Sequence, residues 1–258
     1  MLTTYRNLPL VGWISVLLLS LSASGSLAEP ADESAPFVMA LASEPSESIT
    51  MTWYVKVISE AFRRLDIDLR LEVYPPSRAS RLLDNGVVDG EGLRPVGYED
   101  RHPAAVRVDE LMFTVIFAAA VTRSDIELQS LNDLKDKNYR VEYVRGTEPL
   151  DEMLSAVVNQ GHLSPISEAG HGLRKLAAGR SEVFIDFPGR IEALAAAPDM
   201  KSAGIRVIIL PEQVNIYPYL HARHAELAPR LARVLRDIRE EGLFEDYMAL
   251  AHKELAGD

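Results

Sequence analysis

The chain has 258 residues, 47% of them hydrophobic and 25% charged, with a formal net charge of −11 and no cysteine. That length is enough for one large domain or two modest ones with real cores, and the acidic balance argues against a nucleic-acid or anionic-membrane partner, which needs clustered Lys and Arg. The missing cysteine excludes a disulfide framework, thiolate catalysis, zinc–thiolate and cysteine-held iron–sulfur sites, and a lipid anchor on an N-terminal cysteine.

Residues 1–28 read as a secretory signal peptide. Arg6 supplies the positive start, residues 11–21 (VGWISVLLLSL) the apolar stretch, and Ser26-Leu27-Ala28 puts small residues three and one before a cut ahead of Glu29. The apolar run is too short to cross about 30 Å of hydrocarbon as an anchor, which takes about 20 residues. The excised segment carries one arginine and no acid, so the mature chain is more negative still. Export without cysteine suits a bacterial periplasm, where a chain need not be oxidised to be stable.

Residues 29–36 form a polar lead-in, and the apolar run 37–42 predicts a buried strand. Tyr54, Val57, Ile58, Ala61, Phe62 and Leu65 recur with the spacing of a helix packed on one face. Residues 69–74 alternate as a strand that Pro75-Pro76 stops; Ser77 is placed to cap a helix to Asp84, closed by Asn85-Gly86, before a strand over 87–91. Residues 111–121 (LMFTVIFAAAV) are uncharged and predict a central strand buried on both faces. After a polar stretch with a short capped turn at 130–134, the alternation resumes. It predicts a strand over 139–144, a helix from Gly146-Thr147 to 158 and helical residues 172–178 before Gly179. A strand over 183–187, a helix over 191–197 and a strand over 205–210 follow. Leu227, Leu231, Val234, Leu235 and Ile238 mark a long amphipathic helix, followed by a last one over 243–255. The pattern is that of an α/β protein with two strand–helix units, mixed sheets and helices on their faces.

Several segments occur in a telling order: Pro75-Pro76-Ser77-Arg78, Asn85 through Glu91 (NGVVDGE), Ser130-Leu131-Asn132-Asp133-Leu134, Tyr139-Arg140-Val141, Arg145-Gly146-Thr147, Leu176 through Arg180 (LAAGR) and Glu241-Gly242-Leu243. Together they resemble the bacterial extracellular solute-binding protein family 3, the polar-amino-acid type of periplasmic binding protein, over nearly the whole mature chain. The resemblance implies a two-lobed fold of the type II periplasmic binding proteins, each lobe a mixed sheet flanked by helices, with two hinge crossings near residues 121–124 and 210–215. Lobe 1 would comprise 36–121 and 213–258, and lobe 2 residues 122–212. Such lobes close on a small ligand, so that ligand shifts an open–closed equilibrium. The implied role is capture of an amino acid or carboxylate by a monomer for an ABC-type transporter in the inner membrane, without cofactor or metal. A ligand-sensing partner of a membrane signalling protein is the alternative. A third possibility is enzymatic: some proteins of this fold resemble periplasmic dehydratases, for which Glu44, Glu91 and Asp186 are the placed carboxyl groups.

The candidate ligand residues follow from both readings. Arginine offers a bidentate fork for a carboxylate. By resemblance the family's carboxylate-binding arginine falls at Arg101, with Arg94 nearer the end of the same strand, and Arg145 projects from a later strand end. Gly146-Thr147 would open a helix whose free N–H groups favour an anion, with Thr147 capping it or touching ligand. By resemblance Asp186 would receive an ammonium group, unless it simply caps the helix after Pro188, and Glu44 is a weaker candidate of that kind. The stretch after the first strand, Glu44-Pro45-Ser46-Glu47, lacks the aromatic residue that many family members stack on the ligand. His221-x-x-His224 has metal-like spacing but no third ligand in sight and reads as a surface pair. Arg230, Arg233, Arg236 and Arg239 form a basic ridge that Asp237, Glu240 and Glu241 are expected to balance.

Overall fold

The structure, a computed structural model, describes residues 35–256; the expected signal peptide lies outside them. Strand β1 (Phe37–Leu41) is buried throughout, as a parallel strand covered on both faces must be. Helix α1 (Ile49–Arg64) follows, its first turn capped by Ser48, whose hydroxyl accepts from the Met51 N–H at 3.4 Å. Its stripe of Trp53, Tyr54, Val57, Ile58, Ala61 and Phe62 covers one face of β1, and β2 (Leu69–Val73) then pairs parallel beside β1. Helix α2 (Pro76–Asp84) crosses on the other face and delivers β3 (Gly90–Pro95), also parallel to β1.

The later alternation repeats this arrangement. Strand β6 (Val141–Val144) pairs parallel with β7 (Leu163–Ile166) and β8 (Val183–Asp186), through helices α3 (Glu148–Val157) and α4 (Ala169–Ala177). Helix α5 (Pro188–Ala195) follows β8. Two long strands, β5 (Phe113–Val121) and β9 (Arg206–His221), join the parallel blocks into one sheet of order β2-β1-β3-β9-β5-β8-β6-β7, with β4 (Ala105–Arg107) on β9. Every pairing that involves β5 or β9 is antiparallel.

The apolar cores divide accordingly. Around β1–β3, α1 packs with the C-terminal helices α6 (Leu227–Glu240) and α7 (Leu243–Ala256), so the chain returns to its starting half. The Trp53 Nε1–H fixes this return by donating to the Phe244 carbonyl at 2.9 Å. Around β6–β8, Leu150 and Leu154 of α3 pack with Ile126, Leu131 and Leu134 on one face. Leu173, Leu176 and Ile191 cover Phe184 on the other. Each fully buried side chain of this size contributes about 1.5–3 kcal/mol of transfer free energy.

β5 and β9 lose register midway. Ile116 opposes Gln213 but Ala118 opposes Ile209, so Leu210, Pro211 and Glu212 stand opposite Phe117 alone. Pro211 has no N–H to give a ladder, and a break of this kind bends a strand. This is also why β9 runs to His221, well past the expected 205–210: the ladder resumes at Gln213, beyond an interruption that reads as an end.

Other departures are local. α2 opens on Pro76 with no side-chain cap from Ser77; a proline at the first helical position needs none for its own missing N–H. β3 begins at Gly90 instead of Val87, which is exposed in the preceding turn. Arg236 and Arg239 reach across to Glu110 at 3.3 and 2.9 Å instead of pairing along their own helix, and Glu241 pairs with Arg64. Among the described residues no helix is long and apolar enough to cross a membrane.

Candidate functional site

The C-terminal ends of β1, β3, β6 and β8 meet at one cavity of about 480 Å³. Ala42 and Ser43 follow β1, Leu93 to Pro95 close β3, Gly146 and Thr147 follow β6, and Phe187 and Arg190 follow β8. The joining strands add Val115 and Phe117 from β5, and Val214 and Ile216 from β9. Carboxyl ends of parallel strands are where open α/β sheets bind ligands, because chain reversals leave a crevice there and helices begin there. A cavity of about 520 Å³ near Arg63 and Asp68 lies where α1 ends and β2 begins, with no such convergence.

Both arginines at the cavity are held by acids set behind its wall. Arg94 is buried; its Nε donates to Glu91 Oε1 at 2.7 Å, its Nη2 contacts the same oxygen and also reaches the Pro76 carbonyl at 3.3 Å. Glu91 is 1% exposed and accepts the Tyr98 hydroxyl proton through its other oxygen at 2.5 Å. Burial, and then the Glu91 charge, push the Tyr98 phenol far up. Arg190, in the first turn of α5, lies 3.2 Å from Asp186, which is 2% exposed and also accepts the Phe187 N–H at 2.8 Å. Burial raises the Asp186 carboxyl above its ordinary range, against the lowering effect of the Phe187 N–H and Arg190.

Part of the cavity wall is aromatic. The Phe117 and Phe187 rings stack at 5.9 Å with 20° between planes, and the Arg190 guanidinium sits 4.8 Å from the Phe187 ring centre. β3 turns into the cavity through a bulge in which Leu93 has φ +44°, a strained value for a branched residue.

An uncharacterized protein of Shewanella oneidensis is 30% identical over 209 residues, which span 81% of this chain and 79% of its relative. The chain belongs to the family of that protein. No family model matches the chain. Among solved structures, a histidine kinase sensor domain with similarity to periplasmic binding proteins superposes with a TM-score of 0.62, at 17% identity, over 85% of this chain and 96% of its own. The substrate-binding protein of an amino acid ABC transporter gives a TM-score of 0.59 at 13% identity, over 85% of this chain and 100% of its own. The arginine-, lysine-, histidine-binding protein ArtJ of Geobacillus stearothermophilus gives 0.57 at 12%, over 87% and 96%. The fold is the two-lobed periplasmic-binding-protein fold.

Within this fold the candidates separate. Arg94 and Thr147 line the cavity, and Thr147 stands at the start of α3 without making a side-chain cap. Asp186 lies behind the wall, tied to Arg190, and Phe187 takes the cap position expected of it. Arg101, Arg145 and Glu44 are exposed and do not figure among the described lining residues. Arg101 lies 3.7 Å from Glu152 on α3, and Glu44 precedes a single 3₁₀ turn, Pro45–Glu47. His224 turns its Nε2 to Asp89 at 2.6 Å, while His221 accepts from the Arg223 N–H. Phe117, Phe187 and Arg190 escaped the sequence reading. Pro188 was the available clue: as the first residue of a helix it puts Arg190 in the first turn, beside the strand end.

Proposed function

We propose that the chain is a periplasmic solute-binding protein of the family 3 type, exported by a signal peptide cleaved after Ala28. It captures a small carboxylate-bearing solute, of which amino acids are one class, for an ABC-type inner-membrane transporter. The observation that carries this reading is the convergence of four strand ends and two arginines on one cavity crossed by β5 and β9. In this reading residues 36–121 with 213–258 form one lobe and 122–212 the other. Closure is taken up at the crossings near 121–124 and 210–215, the second of which holds Leu210 to Glu212, where the β5–β9 ladder has lost register and bends at least cost. The site works by recognition, not chemistry: Glu91 and Asp186 are engaged by protein donors, and Glu44 lies off the wall.

A thermal-shift screen against amino acids, dicarboxylates, polyamines and sugars tests the proposal. A ligand at about 100 times its dissociation constant adds about 2.7 kcal/mol to the folded state. The reading fails if no carboxylate shifts the melting point. The second reading, a sensing module that presents its ligand-bound state to a membrane signalling protein, is favoured by the sensor domain's superposition over 96% of its length. Co-purification with a transporter permease or with a sensor kinase from the native membrane separates the two.

A further inference from the structure

The character of the cavity narrows its solute, granted the reading of this cavity as the solute site. We infer that the solute is a carboxylate with an apolar or aromatic body and no ammonium group, its anionic head on Arg190 and its body against Phe187 and Phe117. Four observations carry this.

First, the wall is largely apolar: Leu93, Val115, Phe117, Phe187, Val214 and Ile216 all face the same space. A polar solute body there would lose its water without gaining partners. Second, Phe117 and Phe187 already stack, and a flat or branched apolar group extends that stack at ring spacing. Third, Arg190 is the better placed of the two arginines for an anion. Arg94 is held by Glu91 and the Pro76 carbonyl, whereas Arg190 keeps 43% of its side chain exposed and meets Asp186 through Nη1 alone. Fourth, among the described side chains the two buried acids that back the cavity are spent. Glu91 serves Arg94 and Tyr98, and Asp186 serves Arg190 and the Phe187 N–H, both nearly without exposure. An ammonium group seated against either of these acids would have to displace a donor that already holds it, and breaking such a buried pair is costly.

Pairs of solutes that differ only by the amine decide the matter: 3-phenylpropanoate against L-phenylalanine, and 4-methylpentanoate against L-leucine, titrated calorimetrically into the purified protein. The inference expects each amine-free acid to bind at least 10-fold more tightly than its amino-acid twin. It also expects Arg190→Gln to weaken both acids at least 10-fold and Phe187→Ala to weaken the phenyl acid more than the branched one. Arg190→Lys, which keeps the charge and loses the fork, falls between wild type and Arg190→Gln, and a single cooperative melting transition above the titration temperature shows that each variant is folded. Twins that bind as well as the acids, with Arg190→Gln still weakening them, overturn the inference and leave the cavity as the solute site. Absence of binding by both classes overturns the inference, and the wider screen of carboxylates then decides the proposed function separately.

Discussion

Tyr54 packs so closely on Gly92 that a Cβ on the glycine would lie 2.5 Å from the ring's Cε1 and 3.0 Å from its hydroxyl oxygen. Tyr54 is fully buried in α1 and directs its hydroxyl to the Met39 sulfur at 3.0 Å, so it has little room to retreat. The missing side chain at residue 92 is what lets β3 bulge against α1 and turn Leu93 and Arg94 toward the cavity. Gly92→Ala is therefore expected to destabilise the protein by about 1–3 kcal/mol, the usual cost of overpacking a tight core, read from urea unfolding. Gly146→Ala is the control: no atom lies within 4 Å of its Cβ, and its φ of +84° carries a purely local penalty of about 1 kcal/mol.

Arg94 and Glu91 form a buried pair three residues apart, and each lone partner would be a charge in the core. Arg94→Met alone should cost about 3–5 kcal/mol, because it breaks a buried pair and Glu91 loses its main donor. The double variant Glu91→Gln, Arg94→Met should recover most of that loss. Equal destabilisation of single and double variants in denaturant unfolding would show that packing, not charge, is what Arg94 supplies.

Two aspartates give the stability profile opposite slopes. Asp186 has its carboxyl raised by burial, so the folded state holds this proton more tightly than the unfolded chain. Its contribution is full below the ordinary aspartate value, near pH 4, and is lost as pH rises through the raised one. Asp89 is lowered: burial pulls it up, but the Val38 N–H at 2.8 Å, Arg223 and His224 more than offset this. Its contribution is present above the ordinary value and lost as pH falls through the lowered one. Asp186→Asn should thus gain on wild type as pH rises above about 4, whereas Asp89→Asn should fall behind as pH rises toward about 4 from below. Urea midpoints measured across pH check both signs.

The parts of the fold that were legible are those in which one element buries one face. β1 and the stripe of α1 announce themselves because their apolar residues follow the period of their own element. β9 hid its second half because Pro211 and Glu212 interrupt it at a bulge, and a bulge is legible only with the partner strand in view. β4 and β7, three and four residues long, carry too little pattern to separate from loop. β3 was misplaced by three residues since its burial is of Glu91 and Arg94, charges that only their mutual pairing allows inside. The site divides in the same way. Thr147 and Arg94 could be reached by spacing along strand ends, whereas the Phe117–Phe187 stack joins residues 70 positions apart and exists only in the fold.

Arg101 is where the sequence resemblance places a carboxylate-binding arginine. It follows a 3₁₀ turn (Tyr98–Asp100) in the half built on β1–β3, and its Nη1 lies 3.7 Å from Glu152 on α3 in the other half. The two side chains are 50% and 79% exposed, so water and salt screen the pair, and such pairs are worth about 0–1 kcal/mol. If Arg101 serves as a bridge between the halves, Arg101→Ala lowers stability by no more than about 1 kcal/mol. It then weakens solute binding only a few-fold, and that effect shrinks between about 0.05 and 0.5 M salt as the Debye length contracts. A bidentate contact to an enclosed solute carboxylate would behave differently, because a buried charge-assisted pair is little screened and its loss costs about 2–5 kcal/mol of binding. Calorimetric titration of Arg101→Ala at two salt concentrations, beside Arg190→Gln, separates the two roles. A salt-independent loss of 30-fold or more at Arg101, with Arg190→Gln near wild type, would return the anion site to the lobe where the resemblance placed it.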